Sequence, residues 1–215
     1  MGRLRDELPH ARTVVELDPL SARYNANLGY VYDLMALDDL AIAQHRRAID
    51  LDPSIYMPHF FLGAAYGHMR RFEAAIAECE ISCRLSNRNS RTLGGLAWLY
   101  GETGRVDEAR SLMEELTTRS RSAYVPPFAM AAACRGTRDV EQQLTWLEKG
   151  VEDRDLQIVS ILKVEPALAQ YGHPRFRALL RKMNMEPECE PHSRCAIDID
   201  SSQVNMSPML HRIEG

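Results

Sequence analysis

The sequence predicts an all-α fold, an α-α superhelix of antiparallel helix pairs closed by a C-terminal helical cap, and three observations carry that expectation. Tyr32, Tyr66 and Tyr100 stand 34 residues apart. Each follows a large-small pair at a constant distance, namely Leu28-Gly29, Leu62-Gly63 and Leu96-Ala97. A column of small residues, Ala41, Ala75 and Ala109, recurs at the same interval. A fixed period of this length describes a stack of helical hairpins, each burying its apolar stripe against the next.

Taken in order, residues 1–21 read as the second helix of a truncated repeat, because Leu17-Asp18-Pro19 matches Leu51-Asp52-Pro53 one period later. Val14, Val15 and Leu17 are expected to pack on the following hairpin. The half-repeat also suggests that the chain is a piece of a longer protein or begins at a misassigned start. Residues 22–155 divide into four units, 22–55, 56–89, 90–123 and 124–155. Their first column is Leu28, Leu62, Leu96 and Met130, and the small residue beside it is Gly29, Gly63, Ala97 and Ala131. Residues three and four apart share a helix face, so Leu28 projects with Tyr32 and Ala41 with His45 and Ala48. Pro53 ends the first unit, since proline cannot continue a helix and pushes its predecessor out of the α region. Asp38, Asp39 and Asp107 are expected to cap second helices, and Gly104 and Gly136 to mark turns. The fourth unit departs from the pattern at Cys134 and Gln143. Residues 156–185 read as the cap, with a last helix from about Pro174 through Phe176, Leu179, Leu180 and Met183. Residues 186–215 read as a disordered tail, polar and interrupted by Pro187, Pro191 and Pro208.

Composition excludes several classes of function. The 215 residues are 26% charged and carry a net charge of -4, with no basic stripe for direct binding of nucleic acid. No apolar run reaches the ~18 to 20 residues that cross a bilayer, so no membrane partner is expected. The N-terminus lacks the apolar stretch of a secretory signal. Five cysteines without a dense framework suit reduced thiols and a cytoplasmic location.

The motif Leu28-Gly29-x-x-Tyr32, Ala41, Ala48 and Pro53, repeated as Leu62-Gly63-x-x-Tyr66 with Ala75 and Leu96-Ala97-x-x-Tyr100 with Ala109, resembles the tetratricopeptide repeat (TPR) family. The resemblance spans roughly residues 3 to 155. The segment from Leu162-Lys163-Val164-Glu165-Pro166 to Met183 is similar to the end of TPR domains in large bacterial regulators. Membership in that family implies a scaffold that binds a peptide or a segment of a partner protein, with the first helix of each hairpin lining a concave groove. In that register the groove residues are Arg23, Asn27, Tyr30 and Asp33, then Met57, Phe60 and His68. Arg91, Trp98 and Glu102 follow, then Phe128 and Arg135. Tyr30, Phe60, Trp98 and Phe128 are expected as exposed aromatic anchors, with Arg23 and Arg91 as charged handles. Groove glycines are expected to leave room for the guest. The resemblance also implies an alternative, a regulatory domain of a larger bacterial protein acting by intramolecular contact or self-association. One subset of the family clamps C-terminal carboxylates, but this chain has Ala26, Tyr30, Phe61 and Gly95 where that clamp needs lysine, asparagine, asparagine and arginine.

Nothing in the sequence suggests catalysis, a cofactor or a metal. Cys79 and Cys83 lie four apart on one helix without two further ligands, and read as repeat-column residues. Cys189, His192 and Cys195 cluster within the tail but lack a fourth ligand. His59 and His68 have no paired nucleophile.

Overall fold

A computed structural model describes residues 2–35, 37–155, 157–158 and 173–183. Among them are ten helices and no strand: α1 Gly2–Leu17, α2 Ala22–Leu34, α3 Asp38–Leu51, α4 Tyr56–His68, α5 Phe72–Leu85, α6 Ser90–Glu102, α7 Val106–Ser120, α8 Pro127–Thr137, α9 Val140–Glu152 and α10 Pro174–Lys182. Consecutive helices from α1 to α9 pack on one another, and α2, α4, α6 and α8 also touch in sequence to form one wall. The residues read as tail, and most of those read as the run before α10, lie outside the described residues.

Why the units stack is visible in the repeat columns. Leu28, Leu62, Leu96 and Met130 are all buried, as are Ala41, Ala75 and Ala109. Within a hairpin, a small residue on the first helix faces a larger one on the second. A Cβ on Gly29 would lie 2.5 Å from His45 Cε1, and one on Gly63 would lie 2.6 Å from Cys79 Sγ. His45 and Cys79 are themselves one period apart, so the same close approach is built twice.

The tyrosine column fastens each hairpin to the one before it. Arg12 Nε donates to the Tyr32 hydroxyl at 3.2 Å and Arg46 Nη2 to that of Tyr66 at 2.7 Å. The Tyr100 hydroxyl donates to Glu80 Oε1 at 3.1 Å. Arg12, Arg46 and Glu80 are spaced by the same period. Arginines from the turns also cover the rings, with Arg71 4.7 Å from the centre of Tyr66 and Arg105 4.0 Å from that of Tyr100.

Three local expectations are corrected. Between the two helices of a hairpin the left-handed positions are Arg70 (φ 60), Gly104 (φ 80) and Arg138 (φ 61), one period apart, so Gly104 stands where it was expected. Gly136 instead lies inside α8, where it lets the Ala97 carbonyl carbon of α6 come within 2.5 Å of where its Cβ would be. Asp38 and Asp107 fall in the first turns of α3 and α7, after Leu37 and Arg105 at the N-cap, and no side chain caps either helix. Those aspartates meet the positive end of the helix dipole, and Asp107 also accepts from Arg110 Nη1 at 3.2 Å. The side chain that does cap a second helix is Asp139, accepting from Gln142 N at 3.0 Å. In α1 only Val15 of the three expected residues is buried. Leu17 is 81% exposed, because the face meeting α2 runs Leu8, Ala11, Val15.

The wall tightens between α6 and α8. A Cβ on Gly94 would lie 2.8 Å from Ala129 Cα, and one on Gly101 would lie 2.5 Å from Gly136 Cα. Backbone therefore meets backbone along both helices, which only residues without side chains allow. At the far end α10 buries Phe176, Leu179 and Leu180 in the main core. Arg175 clasps it to α9 through Glu148 and Glu141, each at 2.7 Å.

Candidate functional site

The first helices, α2, α4, α6 and α8, are thirteen or fewer residues long, and residues from all four line a cavity of ≈ 100 Å³. It runs from Tyr30 and Asp33 on α2, past Phe60, Phe61 and Ala64 on α4 and Trp98 on α6, to Phe128, Ala132 and Arg135 on α8. Gln143 of α9 and Gln157 close it. Seven of the residues expected in the groove line this cavity: Tyr30, Asp33, Phe60, His68, Trp98, Phe128 and Arg135. The other five do not line it: Arg23 and Asn27 are exposed, Met57 is half-buried, Arg91 is half-buried over the Phe128 ring, and Glu102 reaches the lining residues Trp98 and Arg135 through hydrogen bonds.

The aromatic side chains form a ladder rather than separate anchors. Tyr30 stacks on Phe61 with centroids 4.7 Å apart, Phe61 meets Phe60 edge-on at 5.6 Å, and Phe60 meets Phe128 at 6.2 Å. Phe60, Trp98 and Phe128 are only 4%, 8% and 8% exposed, which corrects the expectation of open anchors. Trp98 is fully engaged. Its Nε1 donates to Glu102 Oε1 at 3.0 Å, Arg135 covers its face at 4.8 Å, and Glu102 also accepts from Arg135 Nη2 at 2.8 Å. The groove glycines are filled as well. Gly95 is occupied by the Phe60 ring, with Cε2 2.8 Å from where a Cβ would be, and Gly67 by Trp98 and Leu99. The physical cause is the close approach of the helices, which brings aromatic rings of one unit over the glycines of another.

Phe61 is the groove residue that sequence reasoning passed over, treating it only as a departure from the carboxylate clamp. Its column, Asn27, Phe61, Gly95 and Ala129, offered the signal. Gln143 was noted as an exception to the alanine column, and its consequence is structural. It is buried where its equivalents are alanine, and its Nε2 meets no acceptor.

Charge at the site is unevenly compensated. Asp33 Oδ2 pairs with Nε2 of the buried His45 at 2.8 Å, yet burial raises the Asp33 pKa above the usual carboxylate value. His68 is exposed at the rim, and crowding by its neighbours together with the Arg135 guanidinium lowers its pKa to about 4. Arg91 sits 5.9 Å over the Phe128 ring, and burial lowers its pKa. Its Nη1 is buried without an acceptor. Asp155 is the carboxylate that acts on it, and Asp155 also accepts from Phe128 N at 3.2 Å and from Gln157 N at 3.1 Å.

Among the described residues no group of three His, Cys, Asp or Glu side chains could hold a metal, and no helix is long and apolar enough to cross a membrane. Cys79, Cys83 and Cys134 are free and buried. Burial pushes all three thiols up, Cys134 to about 12, so none is a ready thiolate. The Cys189, His192 and Cys195 cluster lies outside the described residues.

No protein-family model matches the chain, and no curated protein matches it. Among solved structures, MamA is similar at 20% identity with a TM-score of 0.49, over 73% of this chain and 91% of that one. PilF of Pseudomonas aeruginosa is similar at 17% identity with a TM-score of 0.52, over 85% of each chain. The likeness to PilF, together with the all-helical hairpin architecture, establishes a TPR-like fold.

Proposed function

We propose that this chain is a non-catalytic scaffold that docks a segment of a partner protein against the inner faces of α2, α4, α6 and α8. The observation that carries this reading is the continuous, mostly apolar cavity those four helices share. Concave, largely preformed apolar hollows with a few placed polar groups are where proteins take guests. The three buried, free cysteines support a reducing, cytoplasmic setting.

Ala64 lines the cavity without being fully buried, so Ala64→Phe fills the groove from its open side. Affinity capture with the wild type and this variant in parallel tests the reading, with circular dichroism to show that the variant folds. A partner retained by the wild type and lost by the variant supports it. Photo-cross-linking from residue 64 then identifies the bound segment. Equal capture by a folded variant removes the groove from consideration.

A further inference from the structure

Arg91 is half-buried over the Phe128 ring with no ion pair among the described residues, and Asp155 offsets its charge only in part. Among the described residues no acceptor meets its buried Nη1. Taking a guanidinium out of water is costly unless a counter-charge and hydrogen bonds replace the lost hydration. The titratable groups that act on it are the Tyr56 hydroxyl, Asp155 and the Tyr30 hydroxyl, and Asp155 also accepts from Phe128 N and Gln157 N. Arg91 also lies in the first turn of the thirteen-residue α6, where the positive end of the helix dipole adds to its own charge. The Phe128 ring beneath it belongs to the apolar cavity.

The second orphaned group has the same sign of demand. Gln143 lines the cavity, is 2% exposed, and its Nε2 is a donor without an acceptor. A guest that satisfies this groove brings acceptors, and at Arg91 it brings an anionic one. Its remaining surface is apolar.

We propose that Arg91 is an anion subsite of the groove, receiving the side-chain carboxylate of an aspartate or glutamate flanked by apolar residues in the bound segment. This rests on the groove being the docking surface. The guanidinium fork holds a carboxylate through two parallel N–H···O bonds, and an ammonium in its place would lose that geometry.

Phenylpropionate and its neutral isostere phenylpropionamide test this, since each offers one ring for the apolar floor and the amide replaces the anionic acceptor pair with one oxygen and an NH2 donor. Titrations followed by NMR on the full chain should show the carboxylate binding at least tenfold tighter than the amide. Arg91→Met, which keeps the aliphatic stem over Phe128, should abolish that preference while leaving amide binding unchanged and raising the melting temperature. Arg91→Lys should retain part of the preference, and serves if the methionine variant fails to fold. A wild type that binds amide and carboxylate equally, or a preference that survives Arg91→Met, overturns the anion subsite and leaves the groove standing. A wild type that binds neither at millimolar concentration overturns both.

Discussion

Gly101→Ala gives a direct test of the backbone contact between α6 and α8. At an ordinary helix position this substitution stabilises by about 1 kcal/mol through propensity. Here the new methyl carbon would lie 2.5 Å from Gly136 Cα, against a favourable carbon-carbon separation of about 3.5 to 4.0 Å. The obstacle is main chain on both sides, so no side chain can rotate away and the helices must part by roughly 1 Å. Such a gap forfeits about a quarter to a half of the dispersion energy of the contacts it opens, and those include the buried Leu93, Ala97, Ala129 and Ala133. Overpacking of this kind costs about 1 to 3 kcal/mol, and the lost contacts offset the propensity gain. The expected net loss is therefore about 2 kcal/mol, which for a chain of this length lowers the melting temperature by roughly 4 to 8 °C. Urea denaturation followed by far-UV circular dichroism reads it as a lower midpoint at unchanged slope. Gly104→Ala separates sterics from backbone strain, because no atom lies within 4 Å of its Cβ position and only the φ of 80 opposes the change. It should cost about 1 to 2 kcal/mol. A Gly101→Ala protein as stable as the wild type, or more stable, would refute the close approach.

Other expectations follow from the same contacts. Trp98→Ala should lower stability by about 3 to 5 kcal/mol, measured by urea denaturation, because the ring is buried and engaged on several sides. Tyr66→Phe removes the acceptor for Arg46 Nη2 and should cost about 1 kcal/mol, with a double-mutant cycle against Arg46→Met assigning the loss to that bond. His68 has a folded pKa pushed below its unfolded value, so between pH 6.5 and about 4 the unfolded chain binds more protons. Stability should fall as pH is lowered through that window, and His68→Gln should flatten the slope. Cys79, Cys83 and Cys134 should react with an aromatic disulfide reagent at pH 8 only as fast as the protein opens, and at once in denaturant.

The hairpins were legible because their signals are local. A helix face repeats every three or four residues, and the small residue opposite His45 or Cys79 lies in the adjoining helix of the same hairpin, a fixed distance along the chain. The tyrosine clips share that property, each reaching a residue at the same place in the preceding second helix. Even there, the turn was read rightly at Gly104 and missed one period to either side. Gly136 looked like a turn residue from composition alone, while the left-handed conformation fell on Arg70 and Arg138, where no glycine announces it.

The sequence by itself determined that successive helices would pair, and its resemblance to tetratricopeptide repeats implied that their first members would share an inner wall. Whether a residue on that wall meets solvent was decided only in three dimensions. Exposure there depends on how closely α4, α6 and α8 approach, and that distance is set jointly by residues in different units, such as Gly101 with Gly136 and Gly94 with Ala129. Because those glycines admit neighbouring backbone, the wall closes until Phe60, Trp98 and Phe128 are covered. The same closure removes the Arg91 Nη1 from water without supplying an acceptor.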